Sequence, residues 1–379
     1  MCCAVPSGKG ESVVSEEHPD GRQGPLVGIK VLEFAGLGPT PYCGMLLSDL
    51  GADVVRIDRD HAPRNRFDVL GRGRRSIALD LKNEADVATA RGLAARADIL
   101  IEGFRPGVME RLGLGPDVLM EANAALVYGR MTGWGQTGPL ANAAGHDINY
   151  IAISGALHAI GTPDTPVPPL NLVGDMGGGG LFLAFGVLAA HLEAKKSGSG
   201  QVVDCAMVEG AASLMSMFYG LRAQGSWSNA RGENMGDGGS HFYNSYRCAD
   251  GEWIAVGAIE PKFYAQLVQA IGLDAPPPQM NEHAWPQAKM TLAEVFRQKT
   301  REEWCVALEG TDVCFAPVLN MEEAPRHRQN LARRSFVEID GVVQPAPTPK
   351  FSRSPGRIVQ TREASADAMQ AILKDWGVI

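Results

Sequence analysis

Strand and helix patterns alternate along the first third of the chain, and this alternation restricts the fold more than any other feature. Residues 29–34 have the pattern of a buried strand, residues 42–50 carry apolar side chains at helical spacing, and residues 52–58 have the pattern of the next strand. These three segments predict a βαβ unit, whose strands are parallel. The alternation continues to residue 131, so we expect an α/β fold with helices on both faces of a parallel sheet.

A change of composition in the later part of the sequence indicates a second domain. Residues 226–239 are rich in Gly, Asn and Ser, which is typical of a linker, and two strand patterns joined by a turn at residues 249–251 follow. We expect a large domain with a Rossmann-like parallel sheet over residues 25–225, completed by residues 335–379. The linker and a smaller α+β domain occupy residues 226–334.

Neither end of the sequence carries a recognisable targeting signal. Residues 1–24 are polar and lack the apolar stretch of a secretory signal, so we expect a disordered tail there. Residues 375–379 do not resemble a peroxisomal signal. The most apolar run, residues 181–190, is too short to span a membrane. We therefore expect a cytoplasmic protein that does not bind membranes.

Positive charge is concentrated in one segment of an acidic chain. The formal net charge of −8 argues against general nucleic-acid binding. Residues 56–82 contain eight Lys and Arg but four acidic residues, so this segment is locally +4. It could bind a small anionic ligand such as a phosphorylated cofactor, or it could be a solvated loop whose charges serve solubility. The charge pattern alone leaves both interpretations open.

The spacing of glycine, proline, cysteine and histidine argues against several cofactors. The turn after the first strand, residues 36–41, begins Gly-x-Gly but lacks the third glycine of a dinucleotide site. Pro39 and Pro41 also remove two N–H groups where phosphates would bind, so we expect no nicotinamide or flavin. The seven cysteines form no Cys-x-x-Cys pair and the eight histidines show no metal-type spacing. We therefore expect reduced thiols and no metal site.

Three acid–base side chains lie at the starts of predicted helices. His146 and Asp147 are neighbours, and Asp175 precedes the four glycines at residues 177–180. Each could be a plain helix N-cap. Alternatively, His146 is a general base, and the glycines expose backbone N–H groups beside Asp175 that could stabilise an oxyanion. Glu260 is either an ordinary acid at a helix start, or a group that orients His146 across a domain or subunit boundary.

Six segments carry a resemblance to a known family. They are residues 51–58, 101–107, 131–136, 145–150, 171–175 and 256–261. The chain from Pro25 to about Trp376 resembles the family III CoA-transferases, or CaiB/BaiF proteins, and within them the racemases that act on 2-methylacyl-CoA thioesters. The implied reaction removes the α-proton to give an enolate and returns a proton to the opposite face.

The resemblance also implies an assembly and a set of site residues. It implies an interlocked homodimer, with each active site between the large domain of one subunit and the small domain of the other. His146 and Asp175 would be the acid–base pair, with Glu260 beside His146. The CoA nucleotide would be held by Arg59, Leu79, Asp80, Leu81, Lys82, Gly103, Phe104, Arg105 and Arg111. The thioester would be lined by Gly145, Asp147, Ile148, Asn149 and Tyr150. CoA is part of the acyl-CoA substrate, so the resemblance implies no separate cofactor.

For the S substrate of a racemase, His146 would be the base and Asp175 the acid, and the roles would reverse for the R substrate.

Two functions other than racemase remain open. A CoA transferase would instead use Asp175 as a nucleophile, although such relatives often carry Tyr where His146 stands. A non-catalytic acyl-CoA-binding protein would keep the scaffold without the chemistry.

Overall fold

The computed structural model describes residues 21–59, 65–359 and 365–379, and within them the larger sheet has six parallel strands. The strands are β1 (Lys30–Phe34), β2 (Asp53–Asp58), β3 (Arg75–Ala78), β4 (Ile99–Glu102), β5 (Val127–Thr132) and β6 (Val202–Ala206). Their spatial order is β3-β2-β1-β4-β5-β6, and every neighbouring pair is parallel. This confirms the predicted Rossmann-like parallel sheet, because it is the strand order of that fold.

Helices cover both faces of the sheet. Those before the small sheet are α1 (Pro39–Asp49), α2 (Glu84–Ala94), α3 (Val108–Arg111), α4 (Pro116–Ala122), α5 (Asp147–Ile153), α6 (Ala156–Ala159), α7 (Phe182–Ser197), α8 (Met207–Leu214) and α9 (Ser216–Ala223). Successive strand residues contribute to opposite cores, as the two-residue period of a strand requires. Val31 packs with side chains of α1 and α7, whereas Leu32 packs with side chains of α2.

A smaller antiparallel sheet has a core of its own. It contains β7 (Tyr243–Arg247), β8 (Trp253–Gly257) and β9 (Phe315–Pro317), with the helices α10 (Pro261–Ala270), α11 (Trp285–Phe296) and α12 (Arg301–Leu308). Phe242, Leu267 and Trp304 are among its buried side chains. The sequence predicted β7 and β8 as a hairpin, which the structure confirms, but it did not predict β9.

The C-terminal segments follow the small sheet, and the last helix among them packs against the large sheet. They are α13 (Arg328–Arg333), the hairpin of β10 (Phe336–Ile339) and β11 (Val342–Pro345), and α14 (Ala366–Trp376). The Arg72 guanidinium donates to the side-chain oxygen of Gln344 at 2.8 Å, which joins the hairpin to the segment before β3. Trp376 of α14 lies in the same core as Leu32. The end of the chain therefore completes one of the two large cores.

The described part of the chain includes residues that the sequence predicted to belong to a disordered tail. Residues 1–20 of that tail lie outside the described residues. Arg22, however, is buried and forms an ion pair with Asp53 at the start of β2, at 2.8 Å. The prediction that residues 1–24 are disordered is therefore wrong for Arg22.

Three predicted helices differ from the structure in length or number. The predicted helix over residues 149–160 is divided into α5 and α6 by Gly155, whose φ of 87° is left-handed. The predicted helix over residues 208–223 is divided into α8 and α9 at Met215. The helix predicted to begin at Gly178 extends six residues further toward the N-terminus, because Leu172–Leu181 is a π-helical segment that continues into α7.

The π-helical segment explains the run of four glycines by packing. A Cβ on Gly178 would lie 2.6 Å from the backbone nitrogen of Ala211 in α8, and one on Gly180 would lie 2.6 Å from the carbonyl oxygen of Pro39 in α1. On the α8 side, a Cβ on Gly210 would overlap the carbonyl group of Gly178. The glycines therefore let three backbones approach one another more closely than any side chain permits.

The continuous helix from Leu172 to Ser197 is, within the described residues, long and apolar enough to cross a membrane by length and composition. The apolar run predicted over residues 181–190 is therefore only part of a longer apolar helix. This is weak evidence for a membrane span, because the core helix of a globular domain passes the same test. Leu183 and Val187 of this helix are buried in the core beside the large sheet.

Replacing Gly210 by Ala tests this packing. We expect Gly210→Ala to lower the free energy of unfolding by about 1–3 kcal/mol, because the new methyl group must push α8 away from the π-helical segment. Urea unfolding followed by circular dichroism measures the change. The matched control is Gly220→Ala in α9, where a Cβ meets nothing within 4 Å. The free energy of unfolding of that variant should rise by up to about 1 kcal/mol, because Ala has a higher helix propensity than Gly. Equal stability of the two variants would contradict the packing argument.

Candidate functional site

A cavity of about 500 Å³ opens at the carboxyl edge of the large sheet. Its walls come from the turns after β1, β4 and β5, from the start of α5, and from Asp175 and Met207. The strand order reverses between β1 and β4, and ligands of doubly wound sheets bind at such a switch point. The topology therefore places the cavity where a ligand is expected.

His146 and Asp175 both line this cavity. His146 is the N-cap residue of α5, and its backbone N–H donates to the side-chain oxygen of Asn149 at 3.0 Å. The helix-cap interpretation is therefore correct for His146, and it leaves the residue on the cavity wall. Asp175 lies inside the π-helical segment rather than at a helix start, so its interpretation as an N-cap was wrong.

The Asp147 carboxylate connects the two elements that carry His146 and Asp175. Asp147 is buried at the start of α5, and its Oδ1 accepts the backbone N–H of Asp175 at 2.7 Å. A Cβ on Gly174 would overlap this carboxylate, so the contact depends on a glycine there. Because the Asp175 N–H is used in this bond, it is not available to stabilise an oxyanion.

The surroundings of Asp175 raise the pKa of its carboxyl group above the ordinary value for aspartate. Burial is the main cause, and the negative charge of Asp147 adds to it. The hydrogen bond from the Asn171 side chain at 3.1 Å and the nearby His146 act in the opposite direction. The net effect is that Asp175 holds a proton at higher pH than an exposed aspartate, which suits a proton donor.

Tyr150 fixes the loop that carries His146. Its hydroxyl donates to the carbonyl oxygen of Gly145, and its ring packs edge-on against Trp134 with centroids 4.7 Å apart. Gly133 and Gly145 make room for this ring, since a Cβ on either would overlap it or crowd it. Burial and the charge of Asp175 raise the pKa of the Tyr150 hydroxyl. Tyr150 therefore acts as a neutral packing side chain at this wall.

The predicted CoA-binding residues fall into two groups. Those that line the cavity are Gly103, Phe104, Arg105, Gly145, Asn149 and Tyr150. Those outside the cavity lining are Arg59 after β2, the segment Leu79, Asp80, Leu81 and Lys82 after β3, Arg111 of α3, and Asp147 and Ile148 of α5. Arg59 and Lys82 are exposed at the same edge of the sheet, whereas the side chain of Leu79 is buried in the core. Leu79 can thus offer a ligand only its backbone.

Glu260 is not brought to His146 within this chain. It is exposed as the N-cap residue of α10 in the small domain, and within the described residues it lies outside the cavity lining. Its charge helps burial to raise the pKa of the neighbouring Cys314 thiol.

Two contacts of Asp175 were missed from the sequence. Asn171 donates to Asp175 from four residues earlier, a spacing that places side chains on one helix face and could have been noticed. Gly38, with φ of 66°, ends the turn after β1, and a Cβ there would lie 3.2 Å from Oδ2 of Asp175. That contact joins segments far apart in sequence, so no local pattern predicts it.

Comparisons with known proteins support the family resemblance and the fold. The family model described as CoA-transferase family III matches residues 26–363. The chain is 47% identical over 358 residues to the alpha-methylacyl-CoA racemase of Mus musculus, covering 93% of each protein. It is 48% identical over 345 residues to that of Homo sapiens, covering 87% of this chain and 90% of the relative. A CaiB/BaiF family protein from Brucella suis shares the fold, with a TM-score of 0.77 at 23% identity, covering 94% of this chain and 100% of that one.

Replacing Asp147 by Asn tests the electrostatic effect on Asp175. The amide of Asp147→Asn can still accept the Asp175 N–H but carries no charge, so we expect the pKa of Asp175 to fall toward its ordinary value. Burial, which is the larger cause of the raised pKa of Asp175, is not changed by the substitution. Carbon-detected NMR titration of labelled aspartates, assigned with Asp175→Asn, measures the pKa. The control is the exposed Asp164→Asn, which should leave the Asp175 titration unchanged. An unchanged or higher pKa in Asp147→Asn would contradict the assignment.

Proposed function

The chain belongs to CoA-transferase family III, and we propose that it is an α-methylacyl-CoA racemase, which interconverts the R and S forms of 2-methylacyl-CoA thioesters. The observation that carries the proposal is that an imidazole and a carboxyl group of raised pKa line one cavity. A racemase needs two such groups, one to remove a proton and one to return it.

The proposed reaction is a 1,1-proton transfer through an enolate. For the S substrate, the neutral imidazole of His146 takes the α-proton. The electrons of the C–H bond form a carbon–carbon double bond, and the thioester carbonyl pair moves to oxygen. Protonated Asp175 then delivers its proton to the opposite face and becomes a carboxylate. For the R substrate the roles reverse, and proton exchange with water restores either starting state.

The enolate oxygen needs hydrogen-bond donors, because the α-carbon of a thioester is only weakly acidic. The first N–H groups of α5, at Asp147 and Ile148, have no acceptor within their own helix. We assign them to the enolate oxygen in place of the Asp175 N–H, which Asp147 already accepts. The scheme uses the CoA thioester, the side chains and backbone N–H groups of the protein, and water.

The proposed CoA lies along the carboxyl edge of the large sheet. The exposed side chains of Arg59, Lys82 and Arg105 follow β2, β3 and β4 at that edge. Their positive charges suit the phosphates of the nucleotide, which favours the anionic-ligand interpretation of the basic segment. The thioester would then reach His146 and Asp175 past Gly103.

We further propose an interlocked homodimer in which Glu260 of one subunit lies beside His146 of the other. Two observations support it. Glu260 lies away from the cavity of its own chain. Large apolar side chains are also exposed along the helix of the large domain, with Leu181, Phe185 and Leu192 at 52%, 72% and 64% exposure. Apolar surface of this kind is typical of a protein–protein contact.

The first experiment follows deuterium and chirality together. The purified protein is incubated with an (S)-2-methylacyl-CoA in deuterium oxide without any acceptor acid. We expect α-deuteration and approach to a mixture of epimers. His146→Ala should lower both rates by at least about a hundredfold, while CoA affinity stays within about twofold, a margin of roughly 0.4 kcal/mol. The control is His283→Ala, which removes an exposed histidine of the small domain and should leave the rates unchanged.

Two outcomes of that experiment would replace the proposal. No exchange, combined with acyl transfer to an added free acid, would make the protein a CoA transferase with Asp175 as nucleophile. Neither reaction, with CoA still bound, would make it an acyl-CoA-binding protein. Undiminished racemisation by His146→Ala would remove His146 from the mechanism.

Mixed dimers test whether sites form between subunits. His146→Ala and Glu260→Gln subunits are co-expressed with different affinity tags, and the mixed dimer is purified through both. If each site combines the large domain of one subunit with the small domain of the other, one of the two sites is fully native. We then expect about half of the native activity per dimer, although each homodimer alone is impaired. If each site forms within one chain, the mixed dimer should show only the mean of the two homodimers.

A further inference from the structure

A buried carboxylate lies directly beneath the loop of residues 103–105. Glu102 ends β4 and is fully buried. Its Oε2 accepts the backbone N–H of Phe104 at 2.7 Å, and its Oε1 accepts Nε of Arg130 at 3.1 Å. Arg130 lies on β5, directly opposite Glu102 in the parallel register. One carboxylate therefore holds the loop to the neighbouring strand.

The Arg130 guanidinium extends this contact to α3. Its two terminal nitrogens donate to the two oxygens of Glu110, at 2.8 and 3.3 Å. The next residue of α3 is Arg111, whose guanidinium lies beside Gly107 at the helix start, since a Cβ there would be 3.2 Å from its Nη1. The chain Glu102–Arg130–Glu110 thus connects two segments to which the CoA nucleotide is assigned.

The stability of the fold does not by itself explain why the Glu102 carboxylate is buried at this position. Burial raises the pKa of Glu102 to about 7, although the Phe104 N–H and Arg130 act against it. Arg130, Glu110 and Tyr128 are the charged or titratable groups that interact with it. A buried ion pair of this kind is often no more stabilising than apolar side chains of the same volume. What the pair does provide is a fixed geometry for the Phe104 N–H and for α3.

We propose that Glu102 is a positioning residue, which holds the loop of residues 103–105 and helix α3 in the geometry that binds the nucleotide part of CoA. This inference rests on the proposed function. Glu102 touches neither the thioester carbon nor the acid–base pair, so its contribution belongs in KM and not in kcat. Glu102 is expected to affect binding of the nucleotide part of the substrate and not binding of the acyl group.

The test combines two enzymes with two substrates. Glu102→Gln places an amide NH₂ against one of two donors, so one of the two hydrogen bonds is lost. For the 2-methylacyl-CoA we expect KM to rise about tenfold, equivalent to about 1.4 kcal/mol, with kcat within twofold. For the N-acetylcysteamine thioester of the same acid, which lacks the nucleotide, both constants should stay within twofold. The matched control is Glu121→Gln, which removes the same charge from the exposed side of α4.

A second variant keeps the test valid if Glu102→Gln does not fold. Glu110→Gln weakens only the partly exposed end of the network and should raise KM for the CoA thioester two- to threefold. An equal effect on both thioesters, or a loss confined to kcat, would overturn the inference. If the native protein exchanges no α-proton, the proposed function fails separately. Calorimetric binding of CoA then decides, and equal affinity of Glu102→Gln and the native protein would overturn the positioning role.

Discussion

The proposed site depends on how closely the π-helical segment can approach α1 and α8. Gly178, Gly180 and Gly210 let these backbones meet without an intervening side chain. Since this segment carries Asp175, the position of that carboxyl group is set by backbone packing and not by the side chain itself. The hydrogen bond from the Asp175 N–H to Asp147 then joins the segment to α5. The Asp147 carboxylate accepts this bond, and its negative charge also disfavours the ionised form of Asp175.

The strand order is that of dinucleotide-binding proteins, but the first turn is used differently. In those proteins the N–H groups at the start of the first helix face a pyrophosphate. Here α1 begins with Pro39 and Pro41 in its first turn, and Gly38 faces the carboxyl group of Asp175. The positive end of a helix dipole therefore faces an acidic side chain of the protein. A shared topology thus places the cavity, whereas the local sequence decides which group occupies the switch point.

The large sheet could be predicted from the sequence because its evidence is local. Periodicity, glycine and proline fix where a strand or helix ends, and parallel pairing follows from the βαβ alternation. His146 at the start of α5 was predicted for the same reason. The glycines near Asp175 were misinterpreted, because a glycine that admits a ligand and a glycine that admits another helix look identical in sequence. The pairing of Glu102 with Arg130 needs the strand order and the register, which no local pattern contains. In the proposed homodimer Glu260 and His146 would meet only between subunits, and such a contact leaves no local pattern in the sequence.

The return of α14 to the large sheet has a consequence for synthesis. Ile372, Leu373 and Trp376 are buried in the same core as Leu32 and Val55, which lie more than 300 residues earlier in the chain. A ribosome that has made the whole parallel sheet has not yet made α14, which covers part of one face of the sheet. The small domain, whose core lies between these parts, can fold first as a unit emerging from the ribosome. The part of the large sheet that α14 covers must then stay exposed until α14 has been made, and in this interval it can bind a chaperone.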